Sequence, residues 1–543
     1  MSAARASGKA SLLLMGFVLL SRVLGVVRDM VISHTFGQDL VTDTFTAAFR
    51  IPDILQYLVA GGALATIFVP VFTQYWTEGR EDEAWGIFRT VMTVVAVVAL
   101  VLVVALEFAA EPVARWMNPN LGDPRPGELV DPALLAARKE SAWGEVARLS
   151  RILLPAQWCF FTGGLMMGTL NARRRFLIPA LGPVLYNIGQ IGAGIVLGRT
   201  PLGISSMTWG ALAGAAAGNV LLPLWDLHRA GGRLPGRIDL SHPGVRKVGA
   251  LMLPALLGLS LSQLGFWITG SFAKGAGYLS ALRNAYNLTQ APIGIFAQAS
   301  AIVLLPTISA LAARGDREGF RDEIHHGIRR ILFLTVPTSL WMAVLAEPIV
   351  ATLYLGGRYG PDAVRDAASA LWCYSVGTFA WSAQAVLARG FYALQDSRTP
   401  TVITTAMVGV FVGLCILLPP TGLGFRGLAL ALSIAGTCNM IAFLMVLGRR
   451  TGGLRTGALA LSTLRIVAAS AVSAAAAGLV GRVLWHGPSA EAGRLPALVA
   501  VAGAGGVALM VYVALGLVLR IPELHSVRAL LRRPVPPEGV STK

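Results

Sequence analysis

Blocks of roughly twenty apolar residues recur along almost the whole chain, and no other feature constrains the fold as much. An α-helix needs about 20 residues to cross about 30 Å of hydrocarbon. A segment in lipid must also satisfy its own backbone polar groups, which a helix does. Of 543 residues, 55% are hydrophobic and 13% charged, with a mean hydropathy of +0.65. A soluble domain carries about 25% charged residues, so an ordinary cytosolic enzyme is excluded. A disordered chain is excluded too, because disorder requires low hydrophobicity. The composition is that of a polytopic membrane protein.

The spacing predicts about fourteen spanning helices, at 10–35, 43–73, 84–111, 145–171, 178–199, 207–228, 248–272, 279–312, 328–346, 366–395, 400–420, 426–448, 459–484 and 495–520. Arg5 and Lys9 precede an apolar run, as in a signal peptide. Arg22 follows at once and no small-residue cleavage site is evident, so the first helix reads as uncleaved. An even count puts both termini on one side. Arg173–Arg175, 229–247, 314–330, 449–455 and the tail 520–543 concentrate Lys and Arg on that side, which makes both termini cytoplasmic. The connection 112–144 reads as a long outer loop with charges of both signs.

An internal repeat is visible. "IFVPVFTQYWTEGR" (Ile67–Arg80) matches "VLLPTISALAARGD" (Val303–Asp316) in the positions of Pro70 and Pro306 and of Gly79 and Gly315. "NARRRFLIP", ending at Pro179, matches "ALQDSRTP", ending at Pro400. The unit is six helices used twice in one orientation, giving an all-α fold of two parallel six-helix lobes around a shared cavity, plus two extra C-terminal helices. The expected divisions are 1–229, 230–450, 451–520 for the extra pair, and a cytoplasmic tail at 521–543. Gly210, Gly214 and Gly218, and Gly194 and Gly198, recur every four positions and predict close helix packing. Gly61-Gly62 and Pro292 are candidate bends.

The net charge is +17. Without an RNA-binding signature it points to positive-inside topology and anionic headgroups, not to nucleic acid. Cys159, Cys373, Cys415 and Cys438 lie in apolar blocks without a CxxC pair, so neither a disulfide framework nor a metal site is expected. "GLGFRG" at Gly422–Gly427 follows no strand and is not a dinucleotide loop. GxSxG, HExxH and Walker sequences are absent. No cofactor is expected, and without an ATP site any transport must be passive or driven by an ion gradient or the membrane potential.

Charges at bilayer depth mark helix ends or wet cavities. The first two helices carry Arg22, Arg28, Asp29, Asp43, Arg50 and Asp53. Arg22 and Asp29 are seven apart, as are Asp43 and Arg50, so each pair shares a face. A partly compensated, still cationic cluster of this kind suits an anion, and arginine's planar fork suits phosphate. The bland alternative is snorkelling of Arg28, Asp29 and Asp43 to an interface, with Asp43 orienting an arginine. In the second half, Arg283 and Asn287 share a helical face beside Asn284 and Gln290. Interhelical hydrogen bonding is the competing reading of those amides.

"SRVLGVVRD" (Ser21–Asp29), "TDTFTAAFRIPDIL" (Thr42–Leu55), "FVPVF" (Phe68–Phe72), "LNARRRFLIPALGPVLYNI" (Leu170–Ile188) and "GFYALQDSRTP" (Gly390–Pro400) resemble the MurJ (MviN) family. These are lipid II flippases within the multidrug/oligosaccharidyl-lipid/polysaccharide exporter superfamily. The resemblance implies a V-shaped pair of lobes in a bacterial inner membrane and a central cationic cavity for a pyrophosphate and sugar-peptide head. It also implies a groove on helices thirteen and fourteen for the polyprenyl tail, and alternating access by rocking. The implied partners are a polyprenyl-pyrophosphate-linked substrate, membrane lipids and the cell-wall synthesis machinery. The family's first-helix arginines fall on Arg22 and Arg28, and its second-helix aspartate on Asp43. Further family arginines fall on Gln56 and Asn287, with Arg283 one turn earlier, so this chain offers fewer cations to a pyrophosphate. Another undecaprenyl-linked glycan is the alternative cargo. An antiporter of the same superfamily predicts a coupling carboxylate and only twelve helices. A membrane-embedded glycosyltransferase predicts catalytic carboxylates in an outer loop, where Glu128, Asp131 and Glu140 form no recognisable motif.

Overall fold

The computed structural model describes residues 2–55, 63–232, 238–259, 264–453, 456–489 and 493–524, and among these it is helical without strands. The chain forms two compact units. The first comprises Met1–Ala281 with Gly357–Tyr359. It holds α1 (Ser2–Phe36), α2 (Leu40–Leu55), α3 (Ala63–Thr77), α4 (Glu81–Met117), α5 (Pro132–Ala172), α6 (Leu177–Leu197), α7 (Ser205–Ala215), α8 (Leu222–Arg229), α9 (Pro243–Leu259) and α10 (Leu264–Phe272). The boundary falls inside α11 (Tyr278–Pro292). The second unit continues with α12 (Gln298–Ala313), α13 (Arg317–Val344), α14 (Ala346–Tyr354), α15 (Pro361–Ala393), α16 (Arg398–Leu417), α17 (Phe425–Thr451), α18 (Thr456–Leu484) and α19 (Leu495–Val518). The sequence repeat divides at 229/230, whereas packing divides at 281/282. Helix α9 lies against α3 and α4.

Seven helices among the described residues are long and apolar enough to cross a membrane, and an eighth span results if α13 and α14 count as one. Other expected segments are helical but shorter, charged or interrupted. α2 contains Asp43, Arg50 and Asp53, and a π-turn, Ile293–Ala297, follows Pro292 between α11 and α12. Gly61 and Gly62 lie outside the described residues. Large apolar side chains stay exposed along α4 (Val97, Leu100, Val101) and α19 (Leu509, Met510, Val518). A water-soluble surface does not carry such continuous stripes.

The repeat extends to the backbone. Gly79 and Gly315 both have positive φ, 77° and 71°. In each turn the glycine amide donates to the carbonyl three residues back, and the following amide reaches five back: Arg80 N to Tyr75 O at 3.0 Å, Asp316 N to Leu311 O at 3.1 Å. Glycine adopts this left-handed helix stop without a Cβ clash. The second pair of motifs repeats the geometry with non-glycine residues. Arg174 (φ 59°) and Gln395 (φ 57°) each lie five residues before the matched proline.

The extent of one loop is corrected. The loop expected over 112–144 is only 118–131, because α4 runs on to Met117 and α5 starts at Pro132. Asp131 caps α5 by accepting from Ala133 N at 2.8 Å with proline at the first helical position. Arg115 pairs with Glu111 and Glu140, Arg138 with Glu128, and Lys139 with Asp123. The ninth expected span, 328–346, ends where α13 turns by 76° into α14. Cys438 is exposed, unlike the other three cysteines, and all four are free thiols.

Inside the first unit, Phe68, Phe72, Trp85 and Phe88 form a buried aromatic cluster with ring centroids 5.7–6.2 Å apart. The glycine spacing on α7 does bring backbones together, since a Cβ on Gly210 would collide with the Gly189 carbonyl. In the second unit, α18 and α19 pack on each other and on α13. Trp341 Nε1 donates to Ser473 Oγ at 2.9 Å, and the Tyr512 hydroxyl to Phe333 O at 2.8 Å. The two extra helices are thus tied into the core of that unit.

Candidate functional site

The polar residues of the opening helices fall into two groups. On α1, Arg22 is exposed. The Arg28 side chain retains 21% exposure and donates to Asp29 Oδ1 from Nε (3.1 Å) and Nη2 (2.9 Å), and to Asn187 Oδ1 from Nη1 (3.3 Å). Asn187, on α6, donates in turn to Ser21 O and Pro183 O. Asp29 is buried. A buried carboxylate is costly unless paired, and its neighbour in sequence supplies the pair. The fork is therefore steered by Asp29 and Asn187 while part of the side chain stays exposed.

The second group is enclosed. Asp43 is 2% exposed. Its Oδ2 accepts from Gly277 N (2.6 Å), and its Oδ1 from Ser280 N (2.7 Å) and Ser280 Oγ (2.8 Å). Arg50 is likewise 2% exposed. Its Nη1 donates to Met117 O (2.9 Å) and Asn118 Oδ1, and its Nη2 to Trp267 O and Ser271 Oγ (2.9 Å). Met117 ends α4, and Trp267 and Ser271 lie in the last turns of α10. The guanidinium thus meets the negative end of α4, which favours a cation there, and a carbonyl and a hydroxyl of α10. A cavity of about 10 Å³ is lined by Asp43, by the Arg50 partner Asn118, and by Asn120 and Gly270 among others. It has room for about one water. The 118–131 loop closes over the same region: Asn120 Nδ2 donates to Ser271 O (2.8 Å) and Arg125 Nε to Ala276 O (2.8 Å).

The structure therefore places Arg28 beside Asp29 and Asn187, and encloses Asp43 and Arg50 among partners from α4, α10 and the start of α11. In the second unit, Arg283 and Asn287 are half-buried one turn apart on α11, and each has polar partners. Gln56 lies outside the described residues. Asn187, Asn118, Ser271 and Ser280 were not singled out from sequence as partners of these charges. Asn187 sits within the quoted motif ending at Ile188, and an amide in an apolar block is the one signal that marks it.

The comparisons with known proteins bear on this arrangement. The profile of the family described as lipid II flippase MurJ matches residues 32–490. The chain belongs to the MurJ family. The matched stretch includes Asp43, Arg50, Arg283 and Asn287 and begins just after Arg28. A probable lipid II flippase MurJ of Vibrio cholerae serotype O1 is 31% identical over 448 residues, 80% of this chain and 81% of the relative. The lipid II flippase MurJ of Burkholderia cenocepacia is 29% identical over 465 residues, 82% and 84% of the two chains. Among solved structures, a lipid II flippase MurJ in an inward closed conformation superposes with TM-score 0.74 at 20% identity, covering 96% of this chain and all of that one. An inward-facing multidrug resistance transporter of the MATE family has TM-score 0.63 at 16% identity, covering 80% of this chain and 96% of its own. At these identities the likeness is one of fold, an all-α membrane architecture shared by MurJ and MATE-type transporters.

Proposed function

We propose that this chain is a flippase that moves lipid II, the lipid-linked peptidoglycan precursor, from the cytoplasmic to the outer leaflet of a bacterial inner membrane. The observation that carries the reading is the family match over residues 32–490. Physical chemistry supports it. Taking an unshielded pyrophosphate through hydrocarbon costs tens of kcal/mol by idealised solvation arguments. A hydrated cationic surface lowers that barrier while the apolar tail stays in lipid.

In this account Arg22 and Arg28 meet the phosphates, with Asp29 and Asn187 holding the Arg28 fork in place. Asp43 and Arg50 act through structure, fastening α10 and the start of α11 to the first unit. Arg283 and Asn287 contribute from the second lobe, and α18 and α19 carry the polyprenyl tail. Both termini face the cytoplasm, as the Lys and Arg distribution favours. Access alternates between the two sides, driven by the membrane potential or an ion gradient and without a cofactor or catalysis. Substrate arrives from membrane-bound synthesis and leaves to the cell-wall machinery. The test is rapid inactivation of the protein followed by measurement of lipid II accessible at the outer surface. Accessibility is expected to collapse while total lipid II rises. Unchanged accessibility would contradict the reading.

A further inference from the structure

The second unit contains a half-open cleft of about 290 Å³ lined by three of its own helices, in which Glu323 is half-buried and Arg330 exposed. Its lining is ordered by helix periodicity. Ser300, Leu304 and Thr307 present one face of α12, Glu323, Gly327 and Arg330 one face of α13, and Val386 comes from α15. Glu323 and Arg330 are seven residues apart, hence two turns and about 10 Å along the same face. Gly327 lies between them, where a Cβ would stand 3.1 Å from Leu304 and 3.3 Å from Val386. Among the described residues neither charge has a hydrogen-bond or ion-pair partner, although the adjacent Arg329 is matched by Glu523 at 2.8 Å. A carboxylate at one end, a guanidinium at the other, hydroxyls on the opposite wall and apolar side chains between make a site of opposite charges separated by a spacer. Pockets of about this size bind small molecules by an apolar body with a few placed polar groups.

We propose that this cleft is a subsite for an amino-acid-like zwitterion, a short peptidic group offering an ammonium to Glu323 and a carboxylate to Arg330. The inference rests on the flippase reading for its physiological ligand, the peptide-bearing head of the substrate. The chemical match itself is independent of transport. Arg330 can grip a carboxylate with two parallel hydrogen bonds, and an end-blocked ligand leaves one charge in the cleft unmatched.

The probe is alanyl-alanine, in four forms: both ends free, amine acetylated, carboxyl amidated, and both blocked. Each is titrated against the full-length protein in detergent micelles by calorimetry. The free dipeptide is expected to bind saturably, and blocking either end to weaken binding at least about tenfold. Glu323→Gln should abolish discrimination at the amine alone, and Arg330→Gln discrimination at the carboxyl alone. Absence of saturable binding, or equal binding of all four forms to the wild-type protein, would overturn the proposal without reference to any variant. Complementation of a flippase-depleted strain by the wild-type chain reports separately on transport. Charge-selective binding without complementation removes the flippase reading alone, and complementation with indiscriminate or absent dipeptide binding removes the subsite alone.

Discussion

Arg22 and Arg50 lie on consecutive helices of one compact unit, and their surroundings are opposite. Arg50 is wholly enclosed, and its two terminal nitrogens reach four protein acceptors at the end of α4 and on α10. Arg22 is exposed, and Arg28 stands between these extremes, steered by Asp29 and Asn187 yet partly open. An arginine at bilayer depth therefore has two uses. Where its donors are consumed by buried acceptors it fixes architecture, and where donors remain available it can meet an anion. Loss of the arginine leaves buried acceptors short of a donor in the first use and not in the second.

Removing Arg50 should have the largest effect on stability. Arg50→Ala takes the guanidinium from its acceptors in a closed space, where the Ser271 hydroxyl can still serve only one of the carbonyls of Met117 and Trp267, and should cost about 3 kcal/mol, read as a loss of monodisperse protein on heating in detergent. Wild-type thermal survival would erase the distinction between the two arginines. Next comes Asp43→Ala, which frees the amides of Gly277 and Ser280. A loss of about 2–3 kcal/mol is expected, with faster hydrogen exchange at those two amides as the specific signature. Arg28→Lys keeps a charge for buried Asp29 but loses the fork. Stability should change by about 1 kcal/mol or less, while complementation of a flippase-depleted strain falls sharply. Smallest in stability is Arg22→Ala, expected within about 0.5 kcal/mol of wild type, yet impaired in the same complementation assay.

A pH effect of modest size belongs to the far end of the second unit. Hydrogen bonds from the Thr399 hydroxyl and amide, with Arg450 nearby, hold the Asp396 carboxyl below its ordinary range. A depressed folded-state value means that the stabilisation is present above the unfolded pKa of about 3.9 and is lost as pH falls through the lower folded value. Asp396→Asn should abolish that acid-side dependence, seen as a flatter melting profile below about pH 4.

Much of the architecture was legible because membrane helices advertise themselves by length and composition. The repeat was legible for a different reason: Gly79 and Gly315 are stop signals whose left-handed backbone few other residues adopt easily. Arg174 and Gln395 carry the same geometry without glycine, so only their distance from Pro179 and Pro400 marked them. The segment 112–144 misled because charges of both signs resemble a loop when partners are unknown. Arg115 and Glu140 are 25 residues apart in sequence, and their pairing becomes visible only when α4 and α5 lie side by side. The charges of α1 and α2 stood out, but their separate roles did not. Helical periodicity offered seven-residue partners, whereas Asp43 is satisfied by Gly277 and Ser280, more than 230 residues away. Such contacts follow from tertiary packing, not from spacing.

The most direct test of the central claim, that the open arginines of α1 carry the substrate while the enclosed pair of α2 carries the structure, is a transport measurement at matched protein level. In cells depleted of their own flippase, outer-surface lipid II is quantified with Arg22→Ala and Arg28→Lys variants whose membrane abundance and thermal survival equal wild type. The account predicts that surface lipid II drops severalfold in both. Wild-type surface lipid II in both variants would contradict it.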